Sequence, residues 1–250
     1  MPQRTRHLRC VVLDRTKLAE QDLILTMLSS EGEEVRAVAK GARKPGGRLA
    51  SRSELFCESD LLLAKGRGSL EIVSEASIVE PHAGLRGDLA RVSAASAVCE
   101  VTRLCSFQDV RDPYLYPICT RALAACEEAR GQEQLDLVVA AYAFKLLAHG
   151  GWRPELGFCT SCGDARVSRF SSFAGGALCA SCAKDVPGAQ ELSASEFSWL
   201  RALIGCTFDQ LLEGDVPSLE LSTLLVSLAH SWATTQTDAR LRSLEFLLSV

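Results

Sequence analysis

The chain holds eleven cysteines, and four of them form two pairs with the spacing of a metal site. Cys159 and Cys162 are followed, after sixteen residues, by Cys179 and Cys182, which gives the pattern C-x2-C-x16-C-x2-C. Two such pairs can supply a tetrahedral shell of four thiolates around zinc, with Zn–S distances of about 2.3 Å. Gly163 follows the second cysteine, where a residue that tolerates positive φ eases a tight turn. The spacing predicts one structural zinc ion bound by all four cysteines.

Two other uses of these cysteines are open from the pattern alone, namely four unrelated buried thiols or a thioredoxin-like redox pair. A disulfide framework is not expected, because the number of cysteines is odd and the cytosol keeps thiols reduced. Metal is favoured because the segment has little beyond Phe158, Phe170 and Phe173 for a core. A bound zinc contributes about 10–16 kcal/mol to the folding of isolated peptides. Four thiolates also close the coordination sphere, which predicts a structural metal rather than a catalytic one.

The sequence lacks the motifs of several kinds of catalytic site. None of the lysines precedes Ser or Thr, so there is no Walker A phosphate loop. A G-x-S-x-G nucleophile elbow is missing, and no histidine stands in a metalloprotease or zinc-deaminase motif. The sequence therefore has no recognisable catalytic machinery.

A basic segment lies between residues 40 and 52, where five cations occur without an acidic residue. The cations are Lys40, Arg43, Lys44, Arg48 and Arg52. The glycines and the proline among them indicate a loop. The formal net charge of −4 gives no general reason to expect a nucleic-acid partner. Two interpretations stay open at this point: a solvated flexible loop, or a mobile arm that binds phosphates.

The first 80 residues have the apolar alternation and the turn residues of five short strands. The predicted strands cover residues 8–13, 22–28, 34–39, 56–64 and 70–79. Gly32 lies in the turn between the second and third strands, and Gly66-Arg67-Gly68 joins the last two. Five short strands in so short a segment suit a small closed barrel, of which the OB-fold is one form.

After Pro81 the apolar period becomes helical. Asp88 can cap a first helix, and Asp112-Pro113 is a start signal that places proline at the first position of a second helix. Further predicted helices cover 132–149, the residues after a capping box at 193–196, 219–233 and 239–248. We therefore predict an α+β chain with a barrel domain at 1–80 and a helical domain at 81–250, which carries a zinc-binding insert at 152–190.

Together these features resemble the RecO family of DNA repair and recombination mediators. The resemblance extends across nearly the whole chain, and the shared order of the matching stretches is more specific than any one of them. The stretches are LRCVVLDR (8–15), VAKGARKP (38–45), GRG (66–68), GLRGDL (84–89), GWRPEL (151–156), FAGGALC (173–179) and RSLEFL (242–247).

The resemblance implies an N-terminal OB-fold and a helical domain with a zinc-binding insert. It implies binding of single- and double-stranded DNA and annealing of complementary strands. It also implies action with RecR to load the RecA recombinase onto strands coated by single-strand-binding protein, without enzymatic turnover. No apolar stretch is long enough to span a membrane, and the N-terminus has no signal-peptide core, so we expect a cytoplasmic, nucleoid-associated protein.

The barrel segment has an unusual composition for a protein that binds single strands. Such proteins typically stack bases on aromatic side chains, but residues 1–80 contain Phe56 and no Tyr or Trp. Contacts between cations and phosphates must then supply most of the affinity. The expected DNA-binding residues are Arg15, Lys17, Lys40, Arg43, Lys44, Arg48, Arg52 and Arg67.

Arg166 and Arg169 lie between the cysteine pairs, and they are either a second DNA contact or merely solvated charges. Two other functions are also open from the sequence. The first is a zinc-stabilised scaffold that binds only proteins. The second is a zinc-dependent nucleic-acid enzyme, which would need an open metal position or a cluster of histidines and carboxylates.

Overall fold

The computed structural model describes residues 5–66 and 68–249. Arg67, one of the predicted DNA-binding residues, therefore lies outside the described part of the chain. The structure forms two compact units, the first ending at Glu127 and the second beginning at Glu128. Within the described ranges, no helix has the length and the apolar character needed to cross a bilayer.

Five strands of the described N-terminal residues form a closed barrel. The strands are β1 (Thr5–Lys17), β2 (Leu23–Ser29), β3 (Glu34–Ala39), β4 (Glu58–Ala64) and β5 (Glu71–Glu80). Their order around the barrel is β1-β2-β3-β5-β4, and β1 pairs with β4 to close it. Only β3 and β5 run parallel; the other neighbours are antiparallel. The predicted five-stranded OB-fold is confirmed.

Strand β1 is longer than predicted, and its register with β2 shifts between Val12 and Asp14, as at a bulge, which bends a strand. Its first half pairs with β4, and its second half pairs with β2. This bend lets one strand serve two neighbours and close a small barrel. Alternate residues of the strands point inward and form the core, which includes Cys10, Val12, Leu25, Met27, Val35, Ala37, Leu61, Leu63 and Val73.

Two helices complete the first unit: α1 (Leu89–Cys105) and α2 (Leu115–Glu128). Asp88 caps α1 as predicted, and its carboxylate accepts hydrogen bonds from the backbone of Ala90 and Arg91. The prediction that Pro113 opens α2 is wrong. Asp112 and Pro113 instead form a turn, because the backbone N–H of Leu115 donates to the carbonyl of Asp112 at 3.1 Å.

The second unit combines five helices of the described residues with the cysteine-containing insert. The helices are α3 (Gln132–His149), α4 (Ala194–Gly205), α5 (Phe208–Glu213), α6 (Leu219–Thr237) and α7 (Arg242–Leu247). The insert holds three short strands, β6 (Arg169–Ser171), β7 (Gly176–Leu178) and β8 (Gln190–Glu191). The capping box predicted before α4 is present, whereas α5 was not predicted.

Candidate functional site

The four cysteines of the insert converge on one point. Their Sγ atoms all lie within 4.8 Å of one another, and the sulfurs of Cys162 and Cys179 are 3.8 Å apart. A tetrahedral shell with Zn–S bonds of about 2.3 Å requires neighbouring sulfurs to lie about 3.8 Å apart. The donor set therefore fits the predicted zinc geometry, and these four residues can hold a metal ion.

Both cysteine pairs adopt the same turn. The N–H of Gly163 donates to the carbonyl of Cys159 at 2.8 Å, and the N–H of Ala183 donates to the carbonyl of Cys179 at 3.1 Å. Gly163 has a φ of +76°, which is the left-handed conformation expected from its position after the second cysteine. Each pair thus presents two sulfurs from one tight turn, and the two turns face each other.

The sulfur atoms of the cluster differ in their affinity for protons. Backbone hydrogen bonds, the strongest from Cys179, lower the pKa of Cys159 to about 6. The pKa of Cys182 is raised to about 12, chiefly by a side-chain hydrogen bond with Cys162. The four thiols therefore share protons among thiolate and thiol forms. A divalent cation at their centre would stabilise all four as thiolates.

The insert has a very small core of its own. Cys159, Leu178 and Cys179 are buried together, with only partly buried side chains around them. Of the aromatic side chains expected to supply a core, Phe170 is buried, but Phe158 and Phe173 are 56% and 85% exposed. That expectation is wrong for the latter two because they lie in loops, whereas Phe170 lies on β6. So small a core supports the view that a metal ion stabilises the segment.

The insert is also fastened to helices of its own unit. The indole N–H of Trp232 on α6 donates to the carbonyl of Trp152 at 3.0 Å, and its ring centre lies 5.8 Å from that of Phe170. Arg201 on α4 donates to the carbonyl of Leu156 at 2.7 Å. Loss of a metal ion bound by the four cysteines would therefore disturb α4 and α6 as well as the insert.

The basic segment of residues 40–52 follows β3 and is a loop, as predicted. It is pinned to the barrel rather than extended as an arm. Ala42 and Leu49 are buried in the barrel core, and the N–H of Gly41 donates to a carboxylate oxygen of Asp22 at 2.8 Å. The loop therefore presents its cations from a fixed place at one end of the barrel.

The predicted DNA-binding cations in this region differ in how free their charges are. Lys17, Lys40 and Lys44 are exposed, and among the described residues no side-chain hydrogen bond or ion pair engages them. Arg43 and Arg48 are also exposed, and their described partners are backbone carbonyls, those of Glu20 at 2.7 Å and Ser74 at 2.5 Å. A carbonyl partner leaves the positive charge of an arginine uncompensated.

Two other predicted cations are more constrained. Arg15 forms an ion pair with Glu54 at 2.9 Å. Arg52 is half-buried and donates to the carbonyl of Arg48, and its Nε is buried without a hydrogen-bond partner. Both side chains are therefore better suited to hold the loop than to meet a large ligand.

The strand register brings the free cations together. Lys17 pairs with Leu23, and Leu23 pairs with Ala39, so the end of β1 and the end of β3 lie at the same rim. Lys40 follows β3 directly. We call the set of Lys17, Lys40, Arg43, Lys44 and Arg48 the cationic end of the barrel.

Sequence reasoning missed two exposed cations, Arg36 on β3 and Lys65 directly after β4. The alternation of β3, which buries Val35 and Ala37, could have shown that Arg36 points outward. Other barrel arginines are neutralised by acids. Arg6 binds Glu33 and Glu71, and Arg9 binds Asp60.

The barrel offers no aromatic surface in its described part. Phe56 is 1% exposed. In the insert, the charges of Arg166 and Arg169 are compensated by Asp164 at 3.4 Å and Glu191 at 3.0 Å.

Comparison with known proteins agrees with the architecture. The family model described as Recombination protein O N terminal matches residues 3–82, and that described as Recombination protein O C terminal matches residues 86–244. A DNA repair protein RecO from Bifidobacterium animalis subsp. lactis is 32% identical over 95% of this chain and 96% of its own length. One from Symbiobacterium thermophilum is 33% identical over 95% and 94%. The chain therefore belongs to the RecO family, whose members act in DNA repair and recombination.

Proposed function

We propose that this member of the RecO family binds single- and double-stranded DNA through the cationic end of its barrel and anneals complementary strands. The observation that carries the proposal is the contrast between these exposed, uncompensated cations and the acid-paired arginines elsewhere on the barrel. Arg15 and Arg52, which were also predicted to bind DNA, hold the loop in place. Arg67, the remaining predicted residue, lies outside the described part of the chain. The OB-fold supports the place of Lys17, because Lys17 adjoins the loop between β1 and β2, and the first and fourth connecting loops of this fold commonly bind oligonucleotides.

Binding by charge explains how one surface can accept both forms of DNA. Each cation that meets a phosphate releases condensed counterions, and this gain does not depend on base sequence. Arginine adds geometry, because its planar guanidinium can hold two phosphate oxygens at once. Two strands held at such a surface repel each other less, which favours their annealing.

The cysteine cluster has a structural role in this proposal. Zinc bound by Cys159, Cys162, Cys179 and Cys182 would cross-link the two turns and supply the stability that the small core lacks. Four thiolates leave no coordination position for water or substrate, which favours a non-catalytic protein.

Membership of the family supports a set of protein partners. We propose that the protein acts with RecR on strands coated by single-strand-binding protein and so indirectly promotes loading of RecA in the cytoplasm, at the nucleoid. The described part of the second unit is acidic, with 9 Lys and Arg against 14 Asp and Glu between residues 128 and 249. Such a surface repels DNA and suits protein partners better.

The test compares two triple variants by fluorescence anisotropy with labelled single-stranded and duplex DNA. The first is Lys17→Gln/Lys40→Gln/Lys44→Gln, which removes three charges that hold no other side chain in place. The control removes the same number of exposed charges from the second unit, as the variant R153Q/K184Q/R242Q. We expect the barrel variant to lose about tenfold or more in affinity for both DNA forms at moderate salt, and the control to bind like the wild type.

Annealing of complementary strands should slow in the same variant, because the bound strands then repel each other more. Equal affinities for both triple variants would overturn the proposed surface. A wild-type protein that binds neither DNA form in dilute buffer would overturn the proposed function and favour a scaffold that binds only proteins.

A further inference from the structure

A groove of about 340 Å³ opens at the cationic end of the barrel. Its walls are formed by residues of the loop between β1 and β2, by the end of β3, and by Gly66 and residues 68–70 between β4 and β5. Most of its lining side chains are aliphatic, namely Leu18, Val38, Leu70 and Ile72. Among the lining residues that the structure describes, Lys40 and Asp22 are charged. The apolar groove therefore lies at the cationic end of the barrel.

We propose that this groove binds one unstacked base of single-stranded DNA, with the adjoining phosphates on Lys40 and Lys17. The inference rests on the proposed DNA binding and adds a specific contact to a base. The base lies on the aliphatic side chains rather than on aromatic rings.

The charges around the groove favour a polyanion that carries an apolar group. Lys40 lines the groove, and Lys17 precedes Leu18 at the same rim. Among the described lining residues Asp22 is the acid; it accepts the N–H of Gly41 but keeps its negative charge, which the more numerous cations at this end of the barrel outweigh. Glu71, which begins β5, is bound to Arg6. A nucleotide unit matches this arrangement, because it joins a flat, weakly polar base to a negative phosphate.

The walls are exposed enough to meet a ligand. Leu18 is 50% exposed, and Val38 and Ile72 are partly exposed on neighbouring strands. Val38 and Ile72 pair directly across the parallel ladder of β3 and β5, so their side chains form a continuous patch on one face. A volume of about 340 Å³ lies at the lower end of the roughly 300–1,000 Å³ typical of small-ligand sites.

The backbone at Gly66 is packed closely against that of Leu70 at this wall. A Cβ atom at Gly66 would lie 2.3 Å from the carbonyl oxygen of Leu70, so this approach requires glycine. The wall that carries Leu70 is therefore preformed by the main chain.

A base bound in the groove should contribute a part of the affinity for single-stranded DNA that does not depend on the salt concentration. Apolar contact with a base is independent of counterion release, and it is available only where bases are unstacked. Duplex DNA keeps its bases stacked and should use the cations alone. The protein should therefore favour single strands over duplex most clearly at high salt.

The test uses Leu18→Ser and Val38→Thr, together and singly, because Leu18 lies in an exposed loop and threonine matches valine in shape. The control is Ile78→Ser/Val79→Thr, which changes exposed apolar residues at the far end of β5. Each protein is titrated against labelled oligodeoxythymidine, the same oligomer with abasic units, and a duplex. The abasic arm needs no variant, so the inference can be tested even if a substitution disturbs folding.

We expect the groove variants to bind oligodeoxythymidine about fivefold more weakly, with an unchanged salt slope. For the abasic oligomer, and likewise for the duplex, the groove variants should have the same affinity as the wild type. The control variant should have wild-type affinity for all three ligands. Unchanged affinity for oligodeoxythymidine, or an equal loss for the abasic oligomer, would overturn the groove while DNA binding stands. Absence of all binding by the wild type would overturn the proposed function as well.

Discussion

Cysteine has opposite roles in the barrel unit and in the insert. In the first unit, burial in apolar surroundings raises the pKa of Cys10 and of Cys126 to about 12, so these thiols stay neutral and act as packing groups. In the insert, backbone hydrogen bonds lower the pKa of Cys159 to about 6, and the neighbouring sulfurs can become ligands. The spacing of the cysteines, rather than their number, separates the two roles.

The two regions are also stabilised in different ways. The barrel has a continuous apolar core, whereas the insert has a few small side chains and a cluster of thiols. Loss of a metal ion bound by the cluster should therefore unfold the insert and leave the proposed DNA binding in place. Replacement of Lys17, Lys40 and Lys44 should weaken DNA binding and leave the insert folded.

The largest expected effect is the loss of the cluster in Cys159→Ser/Cys179→Ser. Because structural zinc contributes about 10–16 kcal/mol to folding in isolated peptides, residues 159–183 should lose their ordered structure and the proposed zinc ion. Hydrogen-exchange and elemental mass spectrometry measure the two losses. DNA affinity should change less than about twofold, since the cations of the barrel are untouched.

Cys206→Ser is the matched control, because Cys206 is half-buried and lies outside the cluster. Retained protection of residues 159–183 in the double variant would show that the insert does not need a metal.

The next largest effect is expected from Gly32→Ala, which disturbs the packing of two loops in the first unit. Gly32 has a φ of +82°, and a Cβ atom there would lie 1.7 Å from the carbonyl oxygen of Asp112. We expect a loss of about 3 kcal/mol or more in the free energy of unfolding, measured by urea titration. Gly46→Ala also has positive φ but meets no atom within 4 Å, so it should cost about 1 kcal/mol. Equal losses would contradict the close packing of the two loops.

Alkaline pH should weaken the barrel unit through its buried thiols. The pKa of Cys126 in the folded chain is raised to about 12 by burial, whereas an unfolded thiol ionises near pH 9. The contribution of the neutral Cys126 thiol to the stability of the fold is therefore complete below pH 9 and is lost as the pH rises toward 12. Each such thiol should lower the free energy of unfolding by about 1.4 kcal/mol per pH unit in that window.

Urea unfolding at pH 8 and pH 10 checks this difference, with Cys126→Ala as the comparison. The variant should show a smaller decline than the wild type, because it lacks one of the thiols that ionise on unfolding. An identical decline would mean that Cys126 is not held neutral by the fold.

The smallest effect is expected in the insert. Arg166→Gln/Arg169→Gln should change DNA affinity by less than about twofold, because both arginines are paired with acids. Anisotropy titration measures it beside the barrel triple variant. A loss comparable to that of the barrel variant would make the insert a second DNA contact.

Much of the architecture could be predicted from local patterns. The alternation of apolar residues located the strands, and Asp88 and the box at Ser193–Glu196 marked two helix starts. Helix α5 was missed, although Thr207 and Gln210 form the same kind of capping box, because six residues are too few for a helical period. The prediction from Pro113 was wrong because proline occurs in turns as readily as at the first position of a helix.

The candidate sites differ in how far sequence determines them. The cysteine cluster is local, since each pair lies within one turn, and its spacing alone predicted the convergence. Which cations are free depends on distant residues: Arg15 meets Glu54, which stands 39 positions later, and no local pattern reveals that pair. The aliphatic groove likewise joins three separate loops and strand ends.

The most direct test of the central claim is the salt dependence of single-strand binding by the wild type and by Lys17→Gln/Lys40→Gln/Lys44→Gln. Each lost phosphate contact should flatten the slope of log K against log salt by about 0.7, so the variant's slope should be shallower by about 2. Parallel slopes would show that these lysines do not meet DNA and would contradict recognition by charge at this end of the barrel.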